Sequence, residues 1–188
     1  MTVQFTMFDT AIGRCGLAWG PQGIVAVQLP QPDEAQTRKR LAQRCGDIRE
    51  AAPPPGIAAA IEAMVALLDG EPRDLTAIEL DLSAAPEFNR KVYDIARTIP
   101  PGATLTYGDI ARRLGGVALS RDVGQALGHN PCPIVVPCHR VLAAGGKPGG
   151  FSASGGTATK LRMLAIEGAY VNHTPSLFDR LPSGSGSA

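Results

Sequence analysis

The chain has 188 residues, 44% of them hydrophobic and 19% charged, with a formal net charge of +1. That length can bury a real core in one or two small domains. It contains no apolar run long enough to span a membrane, and its net charge does not by itself announce a nucleic-acid partner. The charge is unevenly spread, however. Residues 86–170 hold ten basic and five acidic side chains, so this part is +5 and the remainder −4. A locally basic face on the second half would produce this asymmetry, and so would a solvated helix surface. The four cysteines, Cys15, Cys45, Cys132 and Cys138, form no Cys-x-x-Cys pair, and the N-terminus lacks a basic segment followed by an apolar run. No signal peptide is expected, and a reducing, cytoplasmic setting with free thiols follows.

Residues 1–30 read as β structure. Phe5, Met7, Cys15, Leu17 and Trp19 alternate within their runs, and Gly20-Pro-Gln-Gly23 is a turn signal ahead of Ile24-Val-Ala-Val27. Pro32-Asp33 opens a polar helix over about residues 34–45. Residues 51–56 are a proline-rich loop, and Ile57 to Leu68 has helical apolar spacing ending at Asp69-Gly70. Ile78-Glu-Leu-Asp-Leu82 alternates as a strand, with Glu79 and Asp81 on its wet face. Nothing in this third assembles a catalytic constellation, so it reads as scaffold.

In the second half, Phe88 to Ile99 is an amphipathic helix with Phe88, Val92, Ile95 and Ala96 on one face, stopped by Pro100-Pro-Gly102. Thr106 is expected to cap a short helix from Tyr107 to Leu114. Gly115-Gly116 breaks it, and Ser120 is expected to cap another from Arg121 to Leu127. Two short helices around a glycine turn outline a helix-turn-helix. The second is small in its middle, at Gly124, Gln125, Ala126 and Gly128, which suits either close approach to a nucleic-acid groove or tight core packing.

The stretch Asn130-Pro-Cys-Pro-Ile-Val-Val-Pro-Cys-His-Arg-Val141 concentrates the chemistry. Ile134-Val-Val136 reads as a short buried strand that Pro137 ends, delivering Cys138 to a corner beside His139 and Arg140. A thiol beside cationic groups is expected to lose its proton more easily, and the thiolate is the nucleophile. The plainer alternative is a small buried cysteine near a surface His-Arg pair.

These residues resemble the O6-alkylguanine-DNA alkyltransferases, the methylated-DNA–protein-cysteine methyltransferases. The resemblance runs from about Phe88 to Gly168 through Ile99-Pro-Pro-Gly-Ala-Thr-Leu-Thr-Tyr-Gly108, Arg121-Asp-Val-Gly124, Asn130-Pro131, Pro137-Cys-His-Arg-Val141 and Glu167-Gly168. It is looser in the N-terminal third, through Ile12-Gly13 and the hairpin after it. It implies single-turnover transfer of an alkyl group from O6 of a flipped guanine in duplex DNA to Cys138, and leaves O4 of thymine open as a further target. His139 would be the base, acting through a water, and Glu167 would orient it. Tyr107 would donate to guanine N3, and Asn130 would brace the turn that holds the cysteine. Arg121 would fill the gap in the base stack, with Thr106, Ser120, Gly124 and Gln125 on the same DNA-binding surface. Pro133 and Phe151 would wall the alkyl pocket, Ser152 would contact O6, and the carbonyls of Cys138 and Val141 would read the exocyclic amine. The thioether product has no route of removal, so the alkylated protein would be spent.

Three features depart from the commonest form of the family. Asp122 follows Arg121 where many relatives have alanine, and suits a helix N-terminus but repels phosphate. Phe151 replaces a frequent tyrosine, and the loop Gly149-Gly-Phe-Ser-Ala-Ser-Gly-Gly156 is about two residues longer. Four rival readings compete. One is a zinc site from His129, Cys132, Cys138 and His139, whose spacing fits no regular zinc pattern. Another is a phosphate loop over Gly149 to Lys160, which lacks the Gly-Lys-Ser/Thr string and otherwise reads as a flap before a helix from about Thr157 to Ile166. The third is a cysteine hydrolase using Cys138, His139 and Glu167, and the fourth a non-repair DNA-binding relative. The expected architecture is α/β (α+β): an N-terminal sheet-and-helix scaffold over 1–84, a mostly helical DNA-binding and alkyl-transfer domain with a helix-turn-helix over 85–170, and a tail over 171–188. In that tail Pro175-Ser-Leu-Phe-Asp179 is expected to pack one aromatic and the Ser/Gly-rich end to be disordered. No metal or cofactor, no membrane partner and a monomeric state are expected, with double-stranded DNA carrying O6-alkylguanine as the partner.

Overall fold

Alternating apolar residues at the N-terminus build an antiparallel meander, β1 (Val3–Thr10), β2 (Gly13–Gly20) and β3 (Gly23–Gln28). The computed structural model describes residues 3–169 and Val171, so the expectations for the tail lie outside the described residues. A fourth strand, β4 (Ile48–Glu50), pairs parallel to β1 and gives the order β3-β2-β1-β4. Its three residues are too few for an alternation to be read from sequence. The two faces of the sheet are covered differently. Phe5, Met7, Ala18 and Ala26 pack under Leu41 of the helix α1 (Glu34–Cys45), whereas Phe8, Cys15, Leu17, Trp19, Ile24 and Val27 face the rest of the molecule. Gly16 permits the close approach of α1, because a Cβ there would sit 3.0 Å from Leu41 Cδ2. Asp33 caps α1 by accepting from the Gln36 amide at 2.7 Å.

α2 (Pro55–Leu68) begins two residues before the expected Ile57, since proline is well suited to a helix's first position. The expected strand Ile78–Leu82 does not form. The segment makes one parallel bridge, Ile24 to Leu80, in which the Ile24 amide donates to Glu79 O and the Asp81 amide to Ile24 O. Arg97 holds this segment irregular from the other side by donating to the carbonyls of Thr76 and Ile78 at 2.7 and 2.8 Å.

α3 (Glu87–Arg97) buries Val92, Tyr93 and Ala96, with Phe88 and Ile95 half-buried. The Tyr93 hydroxyl crosses to donate to Ala126 O at 2.9 Å, so this aromatic serves the face as much as the predicted aliphatics. β5 (Leu105–Thr106) leads into α4 (Tyr107–Arg113), whose capping box is complete: Thr106 Oγ1 accepts from the Asp109 amide, and Asp109 accepts from the Thr106 amide. A 3₁₀ turn, Val117–Leu119, joins it to α5 (Ser120–Gly128). Ser120 is not the cap expected. It is the first helical residue, and its hydroxyl donates back to Val117 O, because the turn already leads into the helix without a side-chain acceptor.

After the cysteine-bearing loop, β6 (Val141–Leu142) pairs parallel to β5, which ties the start of α4 to the residues following the nucleophile candidate. α6 (Gly156–Ile166) closes the fold, with Lys160, Met163 and Leu164 on its buried face. One continuous cluster of buried side chains runs from the sheet through α3, α4 and α5 to Cys138. Burial of this apolar surface is the main force holding the two halves together. Among the described residues no helix is long and apolar enough to cross a membrane.

Candidate active site

The expected strand at Ile134–Val136 is instead a tight buried turn. Asn130 makes it so. Its Nδ2 donates to Val136 O at 2.8 Å, and its Oδ1 accepts from the Cys132 amide at 2.9 Å, while the Val136 amide closes onto Cys132 O. With both ends pinned by one side chain, the chain between them cannot extend. Ile134 takes φ = +76°, a left-handed conformation that β-branched residues avoid. Such strain costs about 1–3 kcal/mol and persists where surroundings over-determine it. Arg44 of α1 adds a second brace by donating to Asn130 O at 2.8 Å. The turn passes through Pro137 into a 3₁₀ segment, Cys138–Arg140, buried throughout.

The expectation of an easily ionised thiol is corrected by this burial. Desolvation pushes the Cys138 thiol up, against smaller lowering contributions from the Asn130 hydrogen bond and the Lys160 charge. The resting group is therefore a thiol, and its sequence neighbour His139 is the candidate base. Its Nε2 lies 2.8 Å from Glu167 Oε1 in a pair whose side chains are each 1% exposed. Burial raises the Glu167 carboxyl, but hydrogen bonds from His139 and Arg140 outweigh it and hold it down at about 2. Glu167 is therefore ionised and accepts only, which places the imidazole proton on Nε2. Nδ1 is then a bare acceptor, and it is buried with no partner among the described residues. Desolvation lowers the His139 pKa, so the ring rests neutral, ready to take a proton.

Arg140 completes the cluster. It forks onto Glu167, Nε to Oε2 and Nη2 to Oε1 both at 2.8 Å, and its Nη1 donates to Ile99 O at 2.6 Å. Sequence reasoning saw Arg140 only as a charge beside the cysteine; its real partner is the carboxylate 27 residues away.

The sequence points to Lys160 only as the end of the phosphate-loop alternative. It is fully buried; its ammonium donates to Val141 O at 2.6 Å and reaches Gly150 O at 3.5 Å, and it lies 5.8 and 5.9 Å from the ring centroids of Tyr107 and Phe151. Burial lowers its pKa to about 8, against a raising contribution from Cys138. The signal was present, since a lysine stands at helical spacing from the apolar Met163 and Leu164. The same contact occupies one side of the Val141 carbonyl and leaves its second lone pair. The Tyr107 hydroxyl is 3.5 Å from Gly150 O, and burial raises its pKa. Gly149, at φ = +69°, lets the flap pass this ring, because a Cβ there would fall 3.2 Å from Tyr107 Cε2.

Cys138 lies at the junction of two cavities. One, of about 580 Å³, lies against α5 and is lined by Tyr107, Ser120, Arg121, Gly124, Gln125 and the flap residues Gly150, Phe151 and Ser152. The other, of about 420 Å³, includes Asn130, Pro133, Phe151 and Ser152 and continues toward α1. Of the anticipated residues, four line neither cavity: His139 and Glu167 form their own buried pair, Thr106 is engaged in its capping box, and the Val141 side chain is buried. Ser152 Oγ is turned to Gly128 O at 3.3 Å.

Two of the rival readings, the zinc site and the phosphate loop, fare poorly on this geometry. Among the described residues no group of three or more His, Cys, Asp and Glu side chains could hold a metal ion. The phosphate-loop reading is corrected, because Lys160 spends its ammonium on two backbone carbonyls. A buried thiol next to a neutral, carboxylate-held imidazole, open to a cavity walled by residues of α4 and α5, is the arrangement of a cysteine-nucleophile protein.

The comparisons narrow that class. Residues 87–169 match the family described as 6-O-methylguanine DNA methyltransferase, DNA binding domain. A methylated-DNA–protein-cysteine methyltransferase of Methanothermobacter thermautotrophicus is 34% identical over 153 residues, 81% of this chain and 78% of that protein. One from Mycolicibacterium paratuberculosis is 44% identical over 126 residues, 67% and 74% of the two chains. The crystal structure of Mycobacterium tuberculosis OGT in complex with DNA superimposes with a TM-score of 0.71 at 31% identity, covering 88% of this chain and 92% of that one. The chain belongs to the methylated-DNA–protein-cysteine methyltransferase family.

Proposed function

We propose that this protein repairs duplex DNA by moving the alkyl group from O6 of guanine onto Cys138, once per molecule. The observation that carries the reading is the bare, buried Nδ1 of His139 beside a thiol that burial keeps protonated. A thiol and a base poised together in the resting state suit a reaction in which deprotonation is coupled to attack. As the sulfur attacks the alkyl carbon, the S–C bond forms and the C–O6 bond breaks, with its electron pair leaving on the purine. The thiol proton passes through a water to His139, whose positive charge the ionised Glu167 stabilises. Tyr107 supplies a hydroxyl to the charge developing on guanine, and Lys160, beneath Tyr107 and Phe151, adds a positive field from behind. The lesion must leave the base stack to reach a buried sulfur. The cavity against α5 is the entry, with Thr106, Ser120, Gly124 and Gln125 on the DNA-facing surface of α4 and α5. We read residues 85–170 as the DNA-binding and alkyl-transfer unit, 1–84 as its scaffold, and the cell interior, at the chromosome, as its place of action.

Mixing the protein with excess duplex bearing O6-methylguanine tests this reading. Restored guanine should rise to one per protein and stop; continued turnover or none would contradict it.

Arg121 is exposed at the first turn of α5 and lines the entry cavity. Its proposed task is to occupy the gap left by the flipped base. Arg121→Ala should therefore slow repair in duplex DNA at least tenfold, about the loss of one charged contact, while reaction with free O6-benzylguanine changes little. Single-turnover rates on both substrates check it, and equal losses would place Arg121 in the pocket or in folding.

A further inference from the structure

The cavity on the far side of Cys138 has a chemistry that methyl transfer does not use. It shares Leu127, Gly128, Phe151 and Ser152 with the entry cavity, then runs past Pro133 and Ala153 to α1. Every ionisable side chain on its wall other than the thiol is cationic: Arg40 and Arg44, with no aspartate, glutamate or histidine. Amides from Gln28, Gln31 and Gln43 add polar groups. Arg44 is committed to Val27 O, the Gln28 side chain and Asn130 O. The Arg40 side chain is exposed and has no hydrogen bond or ion pair among the described residues.

Resting on the function proposed above, we infer that this second cavity is an adduct channel that selects O6-alkyl groups ending in an anion, with Arg40 as the specificity-determining residue. The stereochemistry of displacement supports the route. Sulfur must approach the reacting carbon opposite O6, so the remainder of a longer alkyl group projects sideways from the S–C–O6 line. With guanine in the entry cavity, the side that opens from Cys138 is the channel. Its apolar first part, Pro133 and Phe151, takes the methylenes, and its donor-rich end takes a carboxylate. The two residues that lengthen the flap, Ala153 and Ser154, line this channel rather than an outer surface. Transfer itself is unchanged: the S–C bond forms, the C–O6 bond breaks with its pair on guanine, the thiol proton goes to His139, and the thioether keeps its anionic tail in the channel.

The test uses the whole protein and duplexes carrying O6-carboxypropylguanine, its neutral isostere O6-carbamoylpropylguanine, or O6-methylguanine, compared as single-turnover rates. The wild-type protein should transfer the carboxypropyl group about tenfold faster than the carbamoylpropyl group at low salt, and less so at high salt, since Arg40 is solvent-accessible. Arg40→Gln should abolish that preference and Arg40→Glu reverse it, both with the methyl rate preserved. Equal rates on the two long adducts in the wild type would overturn the channel, as would a preference that survives Arg40→Gln. If Arg40 instead serves a DNA phosphate, Arg40→Gln will slow methyl and carboxypropyl transfer alike and leave free O6-carboxypropylguanine unaffected, which also overturns it. Failure of the wild type on every adduct, methyl included, would sink the alkyl-transfer reading as well, and so is distinguishable from failure of the channel alone.

Discussion

Cys138→Ser abolishes transfer of the alkyl group and leaves binding to lesion-bearing duplex within a few-fold of the parent. Serine keeps the shape of the buried turn, so Asn130 still pins Val136 and Cys132 and the surface of α4 and α5 is undisturbed. What is lost is chemistry. Burial already raises the thiol, and an alcohol in the same place is far harder to deprotonate, while His139 is a weak base because its own charged form is disfavoured. Loss of a nucleophile in a cooperating set costs about a million-fold by comparison with hydrolases, which here means transfer falls to background. Cys132 offers no substitute. It is fully buried, and desolvation pushes its thiol up to about 12. Rapid-quench transfer and equilibrium DNA binding measured on the same preparation separate the two effects. Residual transfer at the parent rate would remove Cys138 from its role.

The second large effect is expected at Glu167. Glu167→Gln removes the charge shared by His139 Nε2, Arg140 Nε and Nη2 and, at 3.5 Å, the Gly102 amide. An amide keeps one acceptor and turns an NH₂ toward groups that can only donate. The Arg140 guanidinium, 6% exposed, is left without its counter-charge. Breaking a buried pair by removing one partner costs about 3–5 kcal/mol, so thermal unfolding should move down by many degrees. Transfer should slow by at least a hundredfold in the folded fraction, because the imidazole tautomer and the stabilisation of its charged form are both lost. The pH dependence carries a separate signature. Glu167 has a folded pKa of about 2 against an ordinary 4.5, so its stabilising contribution is full above about 4.5 and drains away as pH falls toward 2. Acid unfolding of the parent should steepen in that window, and the variant should lose this component. A variant with parental stability and rate would show that the cluster has no part in fold or reaction.

Much of this was legible in the primary structure, for reasons that differ between elements. The N-terminal meander, α1 and the start of α4 follow from period, turn chemistry and the Thr106 cap, which act over a few residues. The convergence of Tyr107, Asn130, Cys138, His139 and Glu167 came through the motif string, since no local rule brings Glu167 to His139 across 28 residues. Where tertiary bonds govern, local reading failed. Ile134-Val-Val136 has the composition of a strand, yet two side-chain bonds from Asn130 close it into a turn. Ile78–Leu82 alternates like a strand but finds one bridge, because Arg97 takes the carbonyl of Ile78 and that of Thr76 just before it. The thiol was expected to be acidified by its cationic neighbours, but Arg140 spends its charge on Glu167 and burial dominates. Arg44 left no mark, since its contact with Asn130 joins residues 86 apart.

The most direct test of the account is the intact mass of the protein after mixing with a stoichiometric duplex carrying O6-methylguanine, followed by peptide mapping. The account predicts a gain of one methyl group per chain, all of it on Cys138, with Cys15, Cys45 and Cys132 unmodified and guanine restored in the DNA. An unchanged mass with the lesion intact, or a methyl group on any other residue, would contradict it.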